Sequence, residues 1–392
     1  MKHKLKIGFF TDTYLPQVNG VVTSIELFRQ ELERQGHEVY IFCPRVAGEK
    51  DGERVIRFKS FRFLFQPEYH VSVPFSRHIL RDFWSKDLDI VHAHTPFSIG
   101  LMGYYYSYIK RVPFVHTYHT LYPEYIKSYI LKGRFITPGM VAKLSAVFSN
   151  RCDLTIAPSV KIKKLLEGYG VTKPIKILAT GVKIKDFRVK ARPNNFRKQF
   201  KLKPSDKILT FVGRLGKEKN IDFLISALPL IQKQISARGG SASGGKNAKL
   251  VIIGDGPHRA NLQKQASRLK VRNSVIFTGY YKKPDVIKAY QASDLFVFAS
   301  LTDTQGIVII EAAAAGLPII AVKDHAFSNI LRTGQNGFAT GENLQEFTDK
   351  VCQVLKNKKL YDKMARKSSQ IAKEFSIENQ TRKLVRIYRD LK

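Results

Sequence analysis

Cysteine is scarce in this chain of 392 residues, and the three present, Cys43, Cys152 and Cys352, lie far apart and form no CxxC pair. That spacing argues against a disulfide framework or a zinc site and favours a reducing, cytoplasmic setting. Long hydrophobic runs are also absent, because no segment approaches the ~20 apolar residues that a membrane-spanning helix needs. The opening MKHKLKIGFF contains only a short apolar run, so we expect no signal peptide.

Acidic residues are few, since 32 Asp and Glu face 66 Lys and Arg, which gives a net charge of +34. This excess predicts an anionic partner, and nucleic acid, anionic lipid and acidic polymers are all candidates. Residues 161–207 alone contain fifteen Lys or Arg and three acidic residues. Helix-turn-helix, zinc and RNP patterns are missing, so a nucleic-acid-binding protein is the less favoured alternative and no nucleic-acid partner is expected.

Short apolar runs followed by helical patterns recur along the chain, which is typical of parallel βαβ units. Strands are predicted at residues 5–10, 39–43, 90–93, 114–117 and 154–157, and again at 208–212, 250–253, 275–278, 295–298 and 318–322. A helix over residues 24–35 would end at Gly36. The chain is long enough for two cores. We therefore predict an α/β fold of two doubly wound Rossmann-like domains, facing each other across a cleft at the carboxyl ends of both sheets.

The domain boundary is predicted from the Lys/Arg/Pro-rich stretch 183–206, a composition typical of a linker. The first domain would comprise residues 1–187 and the second residues 188–374. A last helix, at about residues 375–392, can pack back on the first domain. The Gly/Ser-rich segment 238–247 is predicted to be a surface loop.

Candidate ligand-binding residues follow the predicted strands. Gly20 follows Asn19 and opens a helix, so backbone N–H groups and the positive helix end could approach a diphosphate there, although a plain βα turn is the alternative. After the strand ILTFV come Gly213, Arg214 and, five residues on from Arg214, Lys219. Two cations beside a helix N-terminus suit a leaving diphosphate, with solvated surface charges as the alternative. The spacing GxxxxGK[ST] of a P-loop is absent.

A second group of candidates lies in ASLTDTQGIVIIEAAAAG, residues 299–316, where Asp303 and Glu311 stand eight positions apart with Gly306 between them. We expect about two helical turns between the carboxylates, so that Asp303 faces a sugar and Glu311 lies deeper, within reach of a ribose. Gly306 and its neighbours would offer backbone hydrogen-bond donors.

In their order and spacing these motifs resemble the retaining glycosyltransferases of the GT-B fold, family 4. The hallmark E-x7-E of that family is here Asp303-x7-Glu311, with aspartate in place of the first glutamate. The resemblance covers essentially the whole chain and also includes the Gly20 loop, Tyr118-His119-Thr120, Gly213-Arg214 with Lys219, Gly254-Asp255-Gly256-Pro257, Phe277-Thr278-Gly279 and the helix after FSIENQ.

The resemblance implies an enzyme that uses a nucleotide-sugar donor. Arg214 and Lys219 would hold the diphosphate, Asp303 the sugar hydroxyls and Glu311 the ribose, while His119 would contact the transferred sugar near the reacting carbon. The shorter side chain of Asp303 must reach about one methylene further than the usual glutamate. The predicted catalytic residues are His119, Asp303, Arg214 and Lys219. The predicted donor-binding residues are Gly20, Gly213, Arg214, Lys219, Gly279, Thr304, Gln305, Gly306, Ile307 and Glu311.

Neither a metal nor another cofactor is expected. His92, His94, His116 and His119 all lie near predicted strand ends and could suggest a metal site. Enzymes of this fold typically need no metal, however, and His92 and His94 have the character of a structural strand terminus. Retention implies front-side attack, in which the departing phosphate accepts the proton of the attacking hydroxyl and no dedicated nucleophile is required.

The acceptor is predicted to be a lipid. The Thr-Gln-Gly of TDTQGIVIIEA and the stretch HTYHTLYPEY resemble bacterial diacylglycerol glucosyltransferases. Residues 58–69 and 104–143 interleave aromatic and aliphatic residues with Lys and Arg, which suits an anionic membrane surface, although an ordinary core is the alternative. We therefore expect transfer of a hexose, glucose from UDP-glucose, to diacylglycerol by a protein peripherally bound at the inner face of the cell membrane. A hexosyltransferase using GDP-mannose or another donor, and acting on phosphatidylinositol or a polysaccharide precursor, is the alternative enzyme.

Overall fold

The computed structural model describes residues 4–17, 19–46, 48, 52–63, 66–72, 83–122, 137–188, 194–236 and 247–392. It divides into two compact units, one of Met1–Gly181 with Ile377–Lys392 and one of Val182–Ser376. The predicted loop at residues 238–247 lies almost entirely outside the described residues. So do residues 64, 65 and 123–136 of the two segments predicted to face a membrane.

The stretch 183–206 is not the linker that its composition predicted. It contains the helices α5 (Ile184–Arg188) and α6 (Asn194–Gln199), and it belongs to the second unit, which begins at Val182 rather than at residue 188. Phe187 and Phe196 are buried. These two buried aromatic rings hold the basic segment to the second unit. The prediction of a linker was based on the Lys and Arg content and did not take the two rings into account.

The sheet of the first unit has seven parallel strands in the described residues, in the order β3-β2-β1-β6-β7-β8-β9. The strands are β1 (Lys6–Phe10), β2 (Glu38–Pro44), β3 (Val55–Phe58), β6 (Ile90–Ala93), β7 (Phe114–Thr117), β8 (Leu154–Ala157) and β9 (Ile175–Ile177), and a separate antiparallel pair is formed by β4 (Ser60–Phe63) and β5 (Gln66–Ser72). Its helices are α1 (Gly20–Arg34), α2 (Ser98–Lys110), α3 (Pro138–Asn150), α4 (Val160–Gly168) and the final α13 (Ile377–Leu391). The strand order reverses between β1 and β6, so a crevice at their carboxyl ends is the expected ligand position of this unit.

The second unit has a six-stranded parallel sheet in the order β12-β11-β10-β13-β14-β15. The strands are β10 (Lys207–Val212), β11 (Ala248–Ile253), β12 (Val275–Gly279), β13 (Leu295–Phe298), β14 (Ile319–Val322) and β15 (Gly337–Thr340). The helices that follow α6 are α7 (Ile221–Ser236), α8 (Arg259–Arg268), α9 (Lys283–Ala292), α10 (Ile307–Ala314), α11 (Leu344–Lys356) and α12 (Lys358–Glu374). Here the order reverses between β10 and β13, and both loops that carried the predicted site residues follow these two strands.

Both faces of the first sheet are covered. Phe9 and Phe10 are neighbours in β1 and belong to different cores, because successive side chains of a strand point to opposite faces. One core includes Ile25 of α1 and Leu384 of α13, so the last helix of the chain completes the first unit. None of the described helices is long and apolar enough to cross a membrane.

Helix α1 begins at Gly20, where the Asn19-Gly20 motif indicated a helix start. The apolar pattern alone predicts a start at residue 24. The Asn19 side chain accepts a hydrogen bond from the Val22 amide at 2.9 Å and so caps the helix. The start of α1 is therefore set by its capping residue, Asn19, and not by the periodic apolar residues that begin further along the chain.

Two glycines allow the loops after β10 and β11 to pack together. Gly254 has φ +134°, and a Cβ there would lie 2.0 Å from the carbonyl oxygen of Gly213. The Leu215 amide then donates to the Asp255 carbonyl at 3.0 Å. The position of the Gly213–Leu215 backbone therefore depends on the absence of a side chain at Gly254.

We predict that Gly254→Ala lowers the free energy of unfolding of the second unit by about 3 kcal/mol, because the new methyl group collides with backbone. The matched control is Gly334→Ala, since Gly334 has φ +79° with open space around its Cβ position. It should cost only about 1 kcal/mol. Urea denaturation with amide hydrogen exchange in β10 and β11 measures both, and equal losses would contradict the packing argument.

Candidate active site

Lys219 and Asp303 meet at the point where the strand order of the second unit reverses. Lys219 ends a short 3-10 turn, Lys217–Lys219, after β10, and its Nζ lies 3.1 Å from both carboxylate oxygens of Asp303, in the loop after β13. Each side chain is about four-fifths buried, with exposed fractions of 19% and 18%. Two residues predicted from motifs 84 positions apart are thus in direct contact, and Arg214 is exposed in the same loop as Lys219.

The predicted two helical turns between Asp303 and Glu311 are wrong. Asp303 lies in a loop, and α10 begins only at Ile307, after Gly306 with φ +69°. A Cβ at Gly306 would lie 3.2 Å from Cδ1 of Phe327, so the left-handed backbone and the packing both favour glycine there. The carboxylates are therefore separated by a turn and a helix start.

The segment from Thr304 to Ile307 surrounds the N-terminus of α10. Its N-cap residue is Gly306, which has no side chain to cap the helix, and the first backbone N–H groups of a helix have no partner within it. Together with the helix dipole, such a terminus attracts anions and sugar or phosphate oxygens. Gln305 is buried and Thr304 is half-buried.

Glu311 is buried, with 5% of the residue exposed, and it is held by two residues that were not predicted. Lys283, at the start of α9, forms an ion pair with it, and the Tyr290 hydroxyl donates to Oε2 at 3.3 Å. The Nζ of Lys283 also lies 5.4 Å from the ring centre of Phe187. The sequence feature that could have identified Lys283 is a lysine at the start of the helix after FTGYYK.

Gly279 is joined to this region through its loop. It ends β12 with φ +76°, and its carbonyl accepts a hydrogen bond from the Gly254 amide at 3.0 Å. Lys283 follows four residues later and contacts Glu311. The loops after β10, β11 and β12 are thus linked in series, with Gly213 and Gly279 in contact with Gly254.

Gly20 and His119, the other predicted residues, belong to the first unit. Gly20 is the first residue of α1, at the carboxyl end of β1. His119 follows β7 and is half-buried. Both lie at the carboxyl edge of the first sheet, with β6 between the two strands.

A buried carboxylate that the sequence analysis missed lies at the reversal point of the first unit. Asp12 accepts hydrogen bonds from the Thr95 hydroxyl at 2.6 Å, the Ser98 hydroxyl at 2.5 Å and the Ile99 amide at 3.0 Å. Burial raises the pKa of Asp12, and these hydrogen bonds oppose the shift. The carboxylate joins the loop after β1 to the first turn of α2, and the signal was the TDT directly after the first strand.

Four histidines form a cluster beside it. The Nδ1 of His94 lies 3.0 Å from the Nε2 of His119, and the His92 ring stacks on His94 with centroids 4.3 Å apart. His92 contacts the Tyr388 and Thr117 hydroxyls, each at 2.6 Å. Burial lowers the pKa of His116 to about 4 and that of His119 to about 3. It also holds the pKa values of His92 and His94 well below the usual range, so the cluster is neutral at pH 7.

Within the described ranges, no three His, Cys, Asp or Glu side chains are arranged as ligands of a metal ion. The expectation of metal-independent chemistry stays a prediction.

We predict that acid destabilises the protein through this cluster. In the unfolded chain a histidine has a pKa of about 6.5, whereas the histidines of the folded cluster stay neutral at that pH. Below about pH 6.5 the unfolded chain therefore binds more protons, and the free energy of unfolding falls as the pH drops. The slope near pH 5 should be about 1.4 kcal/mol per pH unit for each histidine. Urea denaturation at pH 7, 6 and 5 measures it. His116→Asn should flatten the slope, and an unchanged slope in that variant would contradict this assignment.

Two protein families match the chain. Residues 193–371 match Glycosyl transferases group 1, and residues 18–186 match Glycosyltransferase Family 4. The alpha-monoglucosyldiacylglycerol synthase of Streptococcus pneumoniae (strain ATCC BAA-255 / R6) is 35% identical over 337 residues, which cover 83% of this chain and 73% of that protein.

A second relative is named as a mannosyltransferase, and a solved structure has a similar fold. The GDP-mannose-dependent alpha-mannosyltransferase of Mycobacterium tuberculosis (strain CDC 1551 / Oshkosh) is 30% identical over 374 residues, covering 93% of this chain and 92% of that protein. The crystal structure of Anabaena Alr3699/HepE in complex with UDP-glucose matches with a TM-score of 0.74 at 20% identity, over 99% of this chain and 100% of that one.

Proposed function

This chain belongs to the glycosyltransferases of group 1 and family 4, and from that premise we propose that it transfers glucose from UDP-glucose to diacylglycerol at an anionic membrane surface. The family predicted from the motifs is confirmed, as are the transferase activity and the GT-B fold. The choice of sugar and acceptor is supported by the name of the synthase from Streptococcus pneumoniae. The choice of nucleotide is supported by the UDP-glucose in the HepE complex.

The contact between Lys219 and Asp303 carries the proposal for the sugar-donor site. It brings an ammonium for phosphate and a carboxylate for hydroxyls together at the reversal point of the sheet. Arg214 adds a second cation, and the N-terminus of α10 supplies backbone hydrogen-bond donors. Glu311 lies in the second turn of that helix, where a buried carboxylate can accept two hydrogen bonds from the hydroxyls of a ribose.

These groups suit a reaction in which charge grows on the leaving diphosphate. The bond between the sugar carbon and the phosphate oxygen breaks, the acceptor hydroxyl oxygen bonds to the same carbon, and its proton passes to the departing phosphate. Arg214 and Lys219 would stabilise the developing negative charge, and preorganised charges of this kind often contribute the largest part of catalysis. The diphosphate takes the proton, so we expect retention without a protein nucleophile.

An exposed apolar face on the first unit supports the lipid acceptor. On α2 the side chains of Leu101, Tyr105, Tyr108 and Ile109 are exposed, and on α3 those of Met140, Leu144 and Val147. The helices are neighbours, because the guanidinium of Arg151, directly after α3, lies 5.7 Å from the ring centre of Tyr104 in α2. We call these seven side chains the α2–α3 apolar face.

Cations accompany the α2–α3 apolar face, with Lys110, Arg111, Lys143 and Arg151 all exposed. Apolar side chains that insert between lipids, together with Lys and Arg that meet anionic headgroups, are the pattern of reversible membrane attachment. Each cation near such a surface contributes about 1 kcal/mol. The three cysteines are buried, and none of them forms a disulfide within the described residues, which fits the reducing side of a membrane, so we propose peripheral attachment at the cytoplasmic face.

We predict that Lys219→Met lowers kcat/KM for transfer from UDP-glucose to diacylglycerol by about 100-fold, since it removes one charge-assisted contact to the diphosphate. Lys217→Met removes an equal charge from an exposed position in the same turn and should change the rate less than about 3-fold. Labelled glucose in an organic-soluble product measures both. Equal losses of kcat/KM in the two variants would contradict the proposed donor site. If the wild-type protein yields no glucosylated product, the proposed reaction is refuted.

We predict that Tyr108→Ser and Leu144→Ser each weaken binding to vesicles of phosphatidylcholine with phosphatidylglycerol by about 10-fold, because each loses about 1.5 kcal/mol of apolar insertion. Ile177→Ser is the control, since Ile177 is an exposed apolar residue on β9 of the same unit. Vesicle flotation measures the binding. Undiminished binding of both α2–α3 variants would contradict attachment through this face.

A mannosyltransferase is the second candidate, favoured by the relative from Mycobacterium tuberculosis. Thermal unfolding with UDP-glucose, GDP-mannose, UDP and GDP separates the two, because a ligand stabilises the fold by RT ln(1 + [L]/Kd). If only GDP-mannose and GDP stabilise the fold, the donor would be GDP-mannose and the transferred sugar would be mannose.

A further inference from the structure

The contact between His94 and His119 requires one hydrogen between two ring nitrogens. The Nδ1 of His94 and the Nε2 of His119 are 3.0 Å apart, and the two rings lie 20° from parallel. Both imidazoles are neutral, because burial lowers the pKa of each. A neutral imidazole carries one hydrogen, so one of these nitrogens donates and the other accepts.

Only two arrangements satisfy the pair. In the first, His94 donates from Nδ1, and His119 then carries its own hydrogen on Nδ1. In the second, His119 donates from Nε2 and keeps a lone pair on Nδ1, while His94 carries its hydrogen on Nε2. The two arrangements therefore differ in what the free nitrogen of His119 offers, which is a hydrogen-bond donor in the first and an acceptor in the second.

The surroundings of His94 favour the first arrangement. Its Nε2 is buried and has no hydrogen-bond partner in the part of the chain that the structure describes, and His94 as a whole is 1% exposed. The second arrangement would put an N–H there without an acceptor, whereas the first leaves only a lone pair. Orphaned buried N–H groups are rarer in folded proteins than under-satisfied acceptors.

We propose that His94 fixes His119 as the tautomer with its hydrogen on Nδ1, so that the free nitrogen of His119 is a hydrogen-bond donor, and not a proton acceptor, for a ligand at the carboxyl edge of the first sheet. The inference goes beyond the proposed function, because it concerns residues of the first unit alone. His119 then takes no proton, which agrees with a reaction in which the leaving phosphate is the proton acceptor.

His94 is itself held from the core. Its ring stacks on that of His92 with centroids 4.3 Å apart, it meets the His119 ring edge to edge with centroids 5.3 Å apart, and it packs in a T-shaped contact with the Phe9 ring at a centroid distance of 4.7 Å. His92 is fixed in turn by the hydroxyls of Thr117 and Tyr388. His94 is therefore a positioning residue, and α13 supports it through Tyr388.

The tautomer of His119 can be read directly by nuclear magnetic resonance of protein labelled with 15N-histidine, in which long-range 1H–15N spectra distinguish the two neutral forms. His119→Asn assigns the signal. His116 serves as the internal reference, because its Nδ1 lies 3.0 Å from the Ala93 carbonyl, which can only accept, so this nitrogen carries the hydrogen. We expect His119 to match His116, and a His119 signal with its hydrogen on Nε2 would overturn the proposal.

His94→Phe keeps an aromatic ring in the stack and removes the hydrogen bond. We expect the His119 signal to lose its single tautomer, because the hydrogen bond that selects this tautomer is gone. Tyr388→Phe is the control, since it removes a neighbouring hydrogen bond and leaves the His94–His119 contact in place, so the tautomer should not change. An unchanged tautomer in His94→Phe would sink the assignment. Absence of transfer in the wild-type protein would instead refute the proposed reaction, while the spectrum still decides the tautomer.

Discussion

The pairing of buried carboxylates with lysines organises the candidate site of the second unit. Asp303 is paired with Lys219, a contact between the loops after β13 and β10, and Glu311 in α10 is paired with Lys283 at the start of α9. A carboxylate removed from water is costly unless a cation or hydrogen-bond donors compensate it. A sugar nucleotide brings both kinds of group, since its phosphates can take over the lysines while its hydroxyls donate to the carboxylates. In the free protein these carboxylates and lysines are therefore paired with one another, and a sugar nucleotide can replace both contacts.

Backbone proximity, rather than side-chain packing, sets the positions of these loops. Gly254 lies against Gly213 and hydrogen-bonds to Gly279, so the ends of β10, β11 and β12 are fixed relative to one another. Gly306, with φ +69°, lets the chain turn directly from the loop that carries Asp303 into α10, whose first backbone N–H groups have no partner within the helix. Lys219 and the N-terminus of α10 can then act on one ligand without an ordering cost at the moment of binding.

The sequence predicted the sheets well because buried parallel strands appear as continuous apolar runs, and β6, β7, β8 and β13 have the predicted bounds. It missed β3, β9 and β15, which are short and partly exposed, as well as the antiparallel pair β4 and β5, and it mistook α5 and α6 for a linker. The motifs identified Lys219, Asp303 and Glu311, but not the partners that packing brings to them. Lys283 and Tyr290 reach Glu311 from another helix, and His94 reaches His119 from a neighbouring strand, so no spacing along the chain announces these contacts.

We propose that one sugar diphosphate is held where Lys219 and Asp303 meet, and a crystal structure of the protein with bound UDP-glucose is the decisive test. We expect phosphate oxygens on Arg214 and Lys219, sugar hydroxyls on Asp303 and ribose hydroxyls on Glu311. A nucleotide bound elsewhere, with the Lys219–Asp303 contact unchanged and Glu311 still held by Lys283, would contradict it.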